Sequence, residues 1–292
     1  MGNSELGSIS TAVIPAAGFG ARMRPLTNIL PKELLPLGRK PALEYIVEEL
    51  QSVGVRTIVF VVSSAKTAIR DYFGDSTADG RIRFQYVVQE KQSGLADAIL
   101  QAQQAVGKNR FIVALGDTVI VSGQQMSPLG RLVSVCREQN AFSGVSVERV
   151  PIRNAYMYGM VKPCGDPRGG AFEIDGVVEK PRVEDSPSDY AIGGRYVFDP
   201  GIFELIRETR PGVGGEQQIT DSIALAISKG YRVWCAPLVD GENRYDIGNF
   251  AVYSEAFTAF CMQDEELAHS VMRAVCRSSF IGQLPIIDSD AE

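Results

Sequence analysis

A doubly wound α/β sheet is the fold class this sequence predicts, and three observations predict it. From Ala12 to Leu115, short runs of β-branched and aromatic residues alternate with amphipathic stretches across short loops. The run Thr57–Val62, TIVFVV, is apolar throughout, as a strand covered on both faces must be. A loop of small residues, Ala16-Ala17-Gly18-Phe19-Gly20, follows the first strand, where such sheets hold their ligands.

The first strand is Ala12–Pro15. In the loop after it, little side chain blocks the backbone, so N–H groups can converge on an anion. Arg22, Arg24 and Lys32 follow, with Pro25 and Pro31 stiffening the segment. A glycine pair alone would fit an ordinary strand-to-helix turn, but three cations beside it point to phosphate. Pro41–Gly54 carries Leu43, Ile46, Val47 and Leu50 at helical spacing, and Gly54 ends it. Lys66–Phe73 predicts a helix, Arg83–Val88 the third strand, Leu95–Val106 a helix and Phe111–Leu115 the fourth strand.

The second half changes texture. Val145–Val150, Met157–Lys162, Phe172–Val178 and Ala191–Phe198 predict strands joined by turns rich in Gly, Pro and Asp. Pro200–Thr209 and Gln218–Lys229 predict helices, with Glu216 as a cap of the second. Arg232–Pro237 is a last strand before the segment Arg244–Asn249, and Asn249–Cys276 reads as mostly helical. No low-complexity linker or repeat separates the halves. The expected organisation is a flexible tail at 1–10, a domain over 11–257 and a helical segment with a frayed end over 258–292. Within the domain, 11–120 is the anion-binding half and 121–257 the substrate half.

Composition narrows the function. The 292 residues are 45% hydrophobic and 22% charged, as in ordinary globular proteins, and the net charge is −6. No Lys/Arg run occurs, which argues against a nucleic-acid partner. Five cysteines, an odd count with no CxxC pair, argue against a disulfide scaffold or zinc site and fit a reducing cytoplasm. No apolar run reaches spanning length, and MGNSELGSIS lacks a basic region followed by an apolar core, so neither a membrane span nor a secretory signal is expected. The single histidine, His269, reads as a surface or packing residue of the C-terminal helices, which argues against Ser/His or Cys/His chemistry.

Two carboxylates stand at strand ends. Asp117 sits in LGDT and Asp246 in YDIGN. A pair of carboxylates beside a phosphate loop suits Mg²⁺, leaving coordination positions for water and phosphate oxygens. Turn or helix-capping aspartates are the alternative for each.

At these residues the chain resembles the sugar-1-phosphate nucleotidyltransferases, and among them the bacterial UTP–glucose-1-phosphate uridylyltransferases. The composite Gly18-Phe19-Gly20-Ala21-Arg22-Met23-Arg24-Pro25 with Pro31-Lys32-Glu33-Leu34-Leu35-Pro36 carries most of the resemblance. Gln89 with Gly94-Leu95-Ala96, Leu115-Gly116-Asp117, Tyr158-Gly159-Met160-Val161, Val178-Glu179-Lys180-Pro181, Gly194-Arg195-Tyr196 and Tyr245-Asp246-Ile247-Gly248-Asn249 follow in family order.

The resemblance implies a Rossmann-like core, a nucleotide-diphospho-sugar transferase-like fold and a Mg²⁺-assisted reaction of UTP with glucose 1-phosphate. It implies that the backbone of Ala16, Ala17, Gly18 and Gly20 and the side chain of Arg22 hold the triphosphate. Lys32 would neutralise charge at the α-phosphate, and Gln89 and Gly94 would meet the base. Asp117 and Asp246 would hold the metal. Gly159, Glu179 and Gly194 would form the sugar site, with Lys180 on the sugar's phosphate. It further implies a cytoplasmic homo-oligomer.

The chain departs from the family pattern at several points. Ala21 stands where many members have Thr, Asn28 where uridylyltransferases often have Lys, and Asp97 where His is common. Gly116 stands where that branch often has Pro, and the stretch between Phe73 and Phe84 is short. YDIGN favours the uridylyl branch. The same chemistry with dTTP or another hexose 1-phosphate is the nearest alternative. A non-catalytic sugar-nucleotide-binding regulatory protein is the alternative of another class. A nicotinamide-dependent dehydrogenase fits less well, because GFGARMRP lacks the third glycine of that fingerprint.

Overall fold

The computed structural model describes residues 9–64, 67–167 and 169–277. Residues 1–8 of the tail expected over 1–10, Lys66 and the end DSDAE lie outside these residues; Ile9 packs in the core and Ser10 O accepts from Arg56 N and Thr57 N, so the tail ends earlier than expected. The strands are β1 (Thr11–Pro15), β2 (Pro36–Leu37), β3 (Lys40–Pro41), β4 (Thr57–Val62), β5 (Arg83–Val88), β6 (Phe111–Ala114), β7 (Thr118–Val121), β8 (Ser143–Arg149), β9 (Gly159–Pro163), β10 (Phe172–Glu179), β11 (Tyr190–Phe198), β12 (Val233–Pro237) and β13 (Asn243–Asp246). The α-helices are α1 (Ala42–Ser52), α2 (Ala68–Phe73), α3 (Leu95–Gln101), α4 (Gln103–Val106), α5 (Pro128–Glu138), α6 (Ile202–Glu208), α7 (Ile219–Ser228), α8 (Phe250–Cys261) and α9 (Glu265–Arg277).

Apolar runs on both faces force the central strands inside a sheet, where every backbone group finds a partner. One nine-stranded sheet results, in the order β5-β4-β1-β6-β11-β8-β12-β10-β9. Strands β5, β4, β1 and β6 are mutually parallel. At β11 the direction reverses: β11 runs antiparallel to both β6 and β8. The fold is therefore a mixed α/β sheet. Its two halves share one set of strands, because β6 of the first half pairs directly with β11 of the second.

Strand alternation divides the core between two faces. Ile58 and Phe60 of β4 face one cluster, with Leu43, Ile46 and Leu50 of α1 and Leu129 and Leu132 of α5. Val59 and Val61 face the other, with Ile99 of α3, Phe203 and Ile206 of α6 and Ile223 of α7.

Several boundaries differ from expectation. The helix expected over Leu95–Val106 breaks at Ala102 into α3 and α4. The strand expected over Met157–Lys162 begins only at Gly159, because Ile152–Met157 forms 3-10 turns after Pro151. The C-terminal helical stretch divides into α8 and α9 around Met262–Asp264. Helix α5 and strand β7 are additions. Ser127 caps α5, its hydroxyl accepting from Gly130 N at 3.1 Å with Pro128 in the first turn. Strand β7 pairs antiparallel with β13 outside the main sheet, with Asp246 opposite Thr118. Among the described residues no helix is long and apolar enough to cross a membrane.

Candidate active site

The loop after β1 folds into three short 3-10 turns, Ala21–Met23, Leu26–Asn28 and Lys32–Leu34. Thr27 Oγ1 donates to Gly20 O at 2.7 Å and closes it. Ala16 is buried, its N–H donating to Val61 O at 2.8 Å. Ala17 and Gly18 stand in front of it and line a cavity of about 340 Å³ with Lys32, Gln89, Gly94 and Asp117. The loop thus returns Lys32 to the end of β1, where its ammonium pairs with the Asp117 carboxylate.

Gly94 shapes the far wall. Its φ is +114°, and a Cβ there would lie 2.5 Å from Gln217 O and 2.7 Å from Gln217 N. Both the angle and the gap require glycine. Glu216 lines this cavity and does not cap α7, whose N-cap is Gln218.

A second, smaller cavity of about 170 Å³ is lined by Gly159, Glu179, Lys180, Gly194, Arg244 and Asp246. Leu95 and Leu115 line both cavities, so the two share a wall. At Gly159 a Cβ would lie 2.8 Å from Thr220 Cγ2 and 3.1 Å from Glu179 Oε2, which excludes any side chain. Thr220 Oγ1 donates to Glu179 Oε2 at 3.0 Å and orients it. Lys180 has φ +46°, its N–H donates to Tyr158 O at 2.9 Å, and its ammonium lies 3.5 Å from Glu179 Oε1. Tyr158 lines this cavity as well.

Asp117 and Asp246 meet where the cavities join. Ile247 N donates to Asp117 O at 2.9 Å, which ties the two turns together. Burial raises the Asp246 pKa above the ordinary carboxyl value, and the Asp117 charge adds to this; Arg244, Lys32 and Arg22 pull the other way. Burial alone would lower the Lys32 pKa, but Asp117, Glu33 and Asp246 together hold it above the usual ammonium value. Arg22 lines neither cavity. Its guanidinium sits over the Asp246 turn, with Nη2 2.7 Å from where a Cβ on Gly248 would be.

This donor set fits a Mg²⁺-like ion. Among the described residues no group of three or more His, Cys, Asp or Glu forms a metal cage. Mg²⁺ needs none, since one or two carboxylates plus substrate phosphates and water complete its shell. Burial and the Asp117 charge, which together raise Asp246, are what a divalent ion would offset, and the Lys32 ammonium already gives Asp117 a cation.

Sequence reasoning missed Arg244. Its side chain is almost fully buried, its Nε donates to Glu148 Oε1 at 2.5 Å, and its guanidinium lies 5.1 Å from the Tyr158 ring centre. The signal was present, because Arg244 and Asp246 are two apart on a strand and share a face. Larger clefts exist, one of about 580 Å³ between α1 and the Tyr72–Asp79 segment, but it gathers no comparable set of cations and glycines. His269 is exposed on α9 and far from this chemistry in role, its Nδ1 2.7 Å from Glu265 O.

The family described as Nucleotidyl transferase matches residues 11–263. A UTP–glucose-1-phosphate uridylyltransferase of Streptococcus pneumoniae serotype 4 is 36% identical over 263 residues, 82% of this chain and 86% of its own. One from Streptococcus pyogenes is 35% identical over 261 residues, 82% of this chain and 85% of its own. A UDP-glucose pyrophosphorylase solved with UDP-glucose superposes with a TM-score of 0.81 at 33% identity, covering 87% of this chain and 99% of that one. The UTP-bound UGPase from Acinetobacter baumannii gives a TM-score of 0.83 at 27% identity, covering 92% and 99%.

Proposed function

The chain belongs to the nucleotidyl transferase family, and from that premise we propose that it is a UTP–glucose-1-phosphate uridylyltransferase. One observation carries the reading. Lys32, Asp117 and Asp246 converge at the junction of two adjoining cavities, with Arg22 over the Asp246 turn; one cavity holds Gln89 and Gly94, the other Glu179 and Lys180. Two ligands that must meet phosphate to phosphate need that arrangement.

In the proposed reaction, a phosphate oxygen of glucose 1-phosphate forms a bond to the α-phosphorus of UTP. The bond from that phosphorus to the bridging oxygen breaks, and pyrophosphate leaves with the electron pair. The nucleophile is already an anion, so no general base is required. The barrier is the approach of two polyanions, and positioning with charge neutralisation lowers it. The backbone of Ala17, Gly18 and Gly20 and the Arg22 side chain hold the triphosphate, while Lys32 neutralises the α-phosphate; Ala16, expected among them, is excluded because its N–H is taken by Val61 O. Gln89 and Gly94 meet uracil. Gly159, Glu179 and Gly194 form the sugar site, and Lys180 pairs with the sugar's phosphate. Asp117 and Asp246 would hold Mg²⁺, which would supply positive charge that screens the phosphates.

The nucleotide half over about 11–120 and the sugar half over about 121–257 belong to the same reading, as does cytoplasmic residence, supported by five free cysteines. Self-association through the C-terminal helices completes it. Helix α9 buries none of its residues, leaving Met272 and Val275 partly exposed.

The test is a matrix of UTP, dTTP, CTP, ATP and GTP against hexose 1-phosphates, reading pyrophosphate release with and without Mg²⁺. Release that is fastest with UTP and glucose 1-phosphate and lost on chelation is expected. No release with any pair, alongside tight UDP-glucose binding, would leave a binding protein instead of an enzyme.

A further inference from the structure

The first cavity contains an amide whose orientation is forced. Gln89 follows β5 and is only 4% exposed, so protein groups rather than water hold its side chain. Its Nε2 donates to Asp97 Oδ2 at 2.7 Å and to Gly94 O at 3.2 Å. A carboxylate and a carbonyl can only accept, so flipping the amide would set oxygen against oxygen. Both amide protons are therefore committed. Among the described residues no donor reaches Gln89 Oε1. Asp97 is itself braced, because its Oδ1 accepts from Gln101 Nε2 at 3.1 Å, four residues along α3. Gln89 and Gly94 line the cavity, whereas Asp97 stands behind them.

We propose that Asp97 is a positioning residue that selects the pyrimidine base: by committing both N–H groups of Gln89, it presents Gln89 Oε1 as a pure acceptor. This rests on the reading above, in which Gln89 meets the base. Uracil and thymine carry a ring N3–H that donates to such an oxygen. Cytosine offers a lone pair at the same ring position, so its N3 would face Oε1 with no proton between them. Rejection of the wrong hydrogen-bonding pattern in a water-poor site is steep, because neither atom finds another partner. The orientation of one amide, set from behind by a residue that need not touch the nucleotide, thus decides which pyrimidine enters.

The experiment compares wild type with Asp97→Asn, a near-isosteric change that removes the charge and adds a donor. The asparagine amide can donate to a flipped Gln89, whose N–H then faces the base, with the longer 3.2 Å bond to Gly94 O given up for the new one. Calorimetric affinities for UTP and CTP, and kcat/KM for each at saturating glucose 1-phosphate, are measured on both proteins. The UTP-to-CTP ratio should fall by at least ~10-fold in the variant. The KM for glucose 1-phosphate and the melting temperature should stay near wild type. A merely structural role would weaken both nucleotides alike. An unchanged ratio in a folded variant overturns the proposal, as does a wild type that binds CTP as well as UTP. Should Asp97→Asn melt early, Asp97→Ala is compared instead, since it removes the shorter of the two bonds that hold the amide and should lower the ratio too. If wild type turns over no nucleotide, the uridylyltransferase reading fails; the two binding affinities still decide the role of Asp97.

Discussion

Asp246 is a carboxyl placed where its own charge is unwelcome. Burial and the neighbouring Asp117 raise its pKa, and Arg244, Lys32 and Arg22 only partly offset them. With the native pKa above the unfolded one, the folded protein binds the extra proton in the interval between them. Stability of the ligand-free protein therefore falls as pH rises through that interval, and the cost is carried in full above it. Asp246→Asn keeps the acceptor that Gly248 N uses at 3.1 Å and removes the charge. At pH 7 the ligand-free variant should melt higher than wild type, by roughly a few degrees. Its turnover should drop at least ~100-fold, as when a preorganised charge is lost. Calorimetry over a pH series checks both signs, because the gain should vanish on acidification. A variant that melts lower at pH 7 would mean that the three cations outweigh burial. At this scale the sequence was legible where chemistry lies in short strings, as in the loop from Ala16 to Lys32 and in LGDT and YDIGN. Arg244 and its partner Glu148 are 96 residues apart, and no local string contains them both.

Among elements, Arg195 of β11 is the main tie behind the site. It is fully buried, and its guanidinium reaches Glu49 Oε2 of α1 at 2.8 Å, Thr118 O of β7 at 2.9 Å and Gly194 O at 3.3 Å. One side chain therefore holds together a helix, the strand after Asp117 and the strand that supplies Gly194. Arg195→Leu strands the Glu49 carboxylate and should cost about 3–5 kcal/mol in urea unfolding. Adding Glu49→Leu should recover much of that loss, because the desolvated charge goes with its partner. A single variant within 1 kcal/mol of wild type would show that water reaches Glu49 on its own. The strands β4 and β5 matched expectation residue for residue, since each is a six-residue segment rich in β-branched and aromatic residues, too short for a helix. Strand β7 and helix α5 escaped notice. Strand β7 is only four residues and finds its partner in β13, and α5 carries Gly130 and Arg131 within its first turns.

For the whole molecule, the sheet decides what can fold alone. Strand β6 pairs with β1 on one side and β11 on the other. Its residues Phe111 and Val113 pack with Phe198, Phe203 and Ile206 from the second half. A fragment ending near residue 120 would expose these side chains along with a β6 edge of unpaired N–H and C=O groups. It should lack the cooperative melting of the full chain, by circular dichroism and by dispersed amide resonances. A fragment that melts sharply would mean that the halves are separate folding units. The sequence by itself determined the parallel first half, the small-residue phosphate loop and the kinds of side chain available, because pattern and spacing act within a few turns of chain. Only the tertiary structure decided that β11 runs antiparallel between β6 and β8. It alone brought Lys32 to Asp117 across 85 residues, put Arg244 in the wall of the second cavity and seated Asp97 behind the first. Those pairings are chosen by burying surface contributed from both halves at once, and no stretch of sequence carries both sides of that choice.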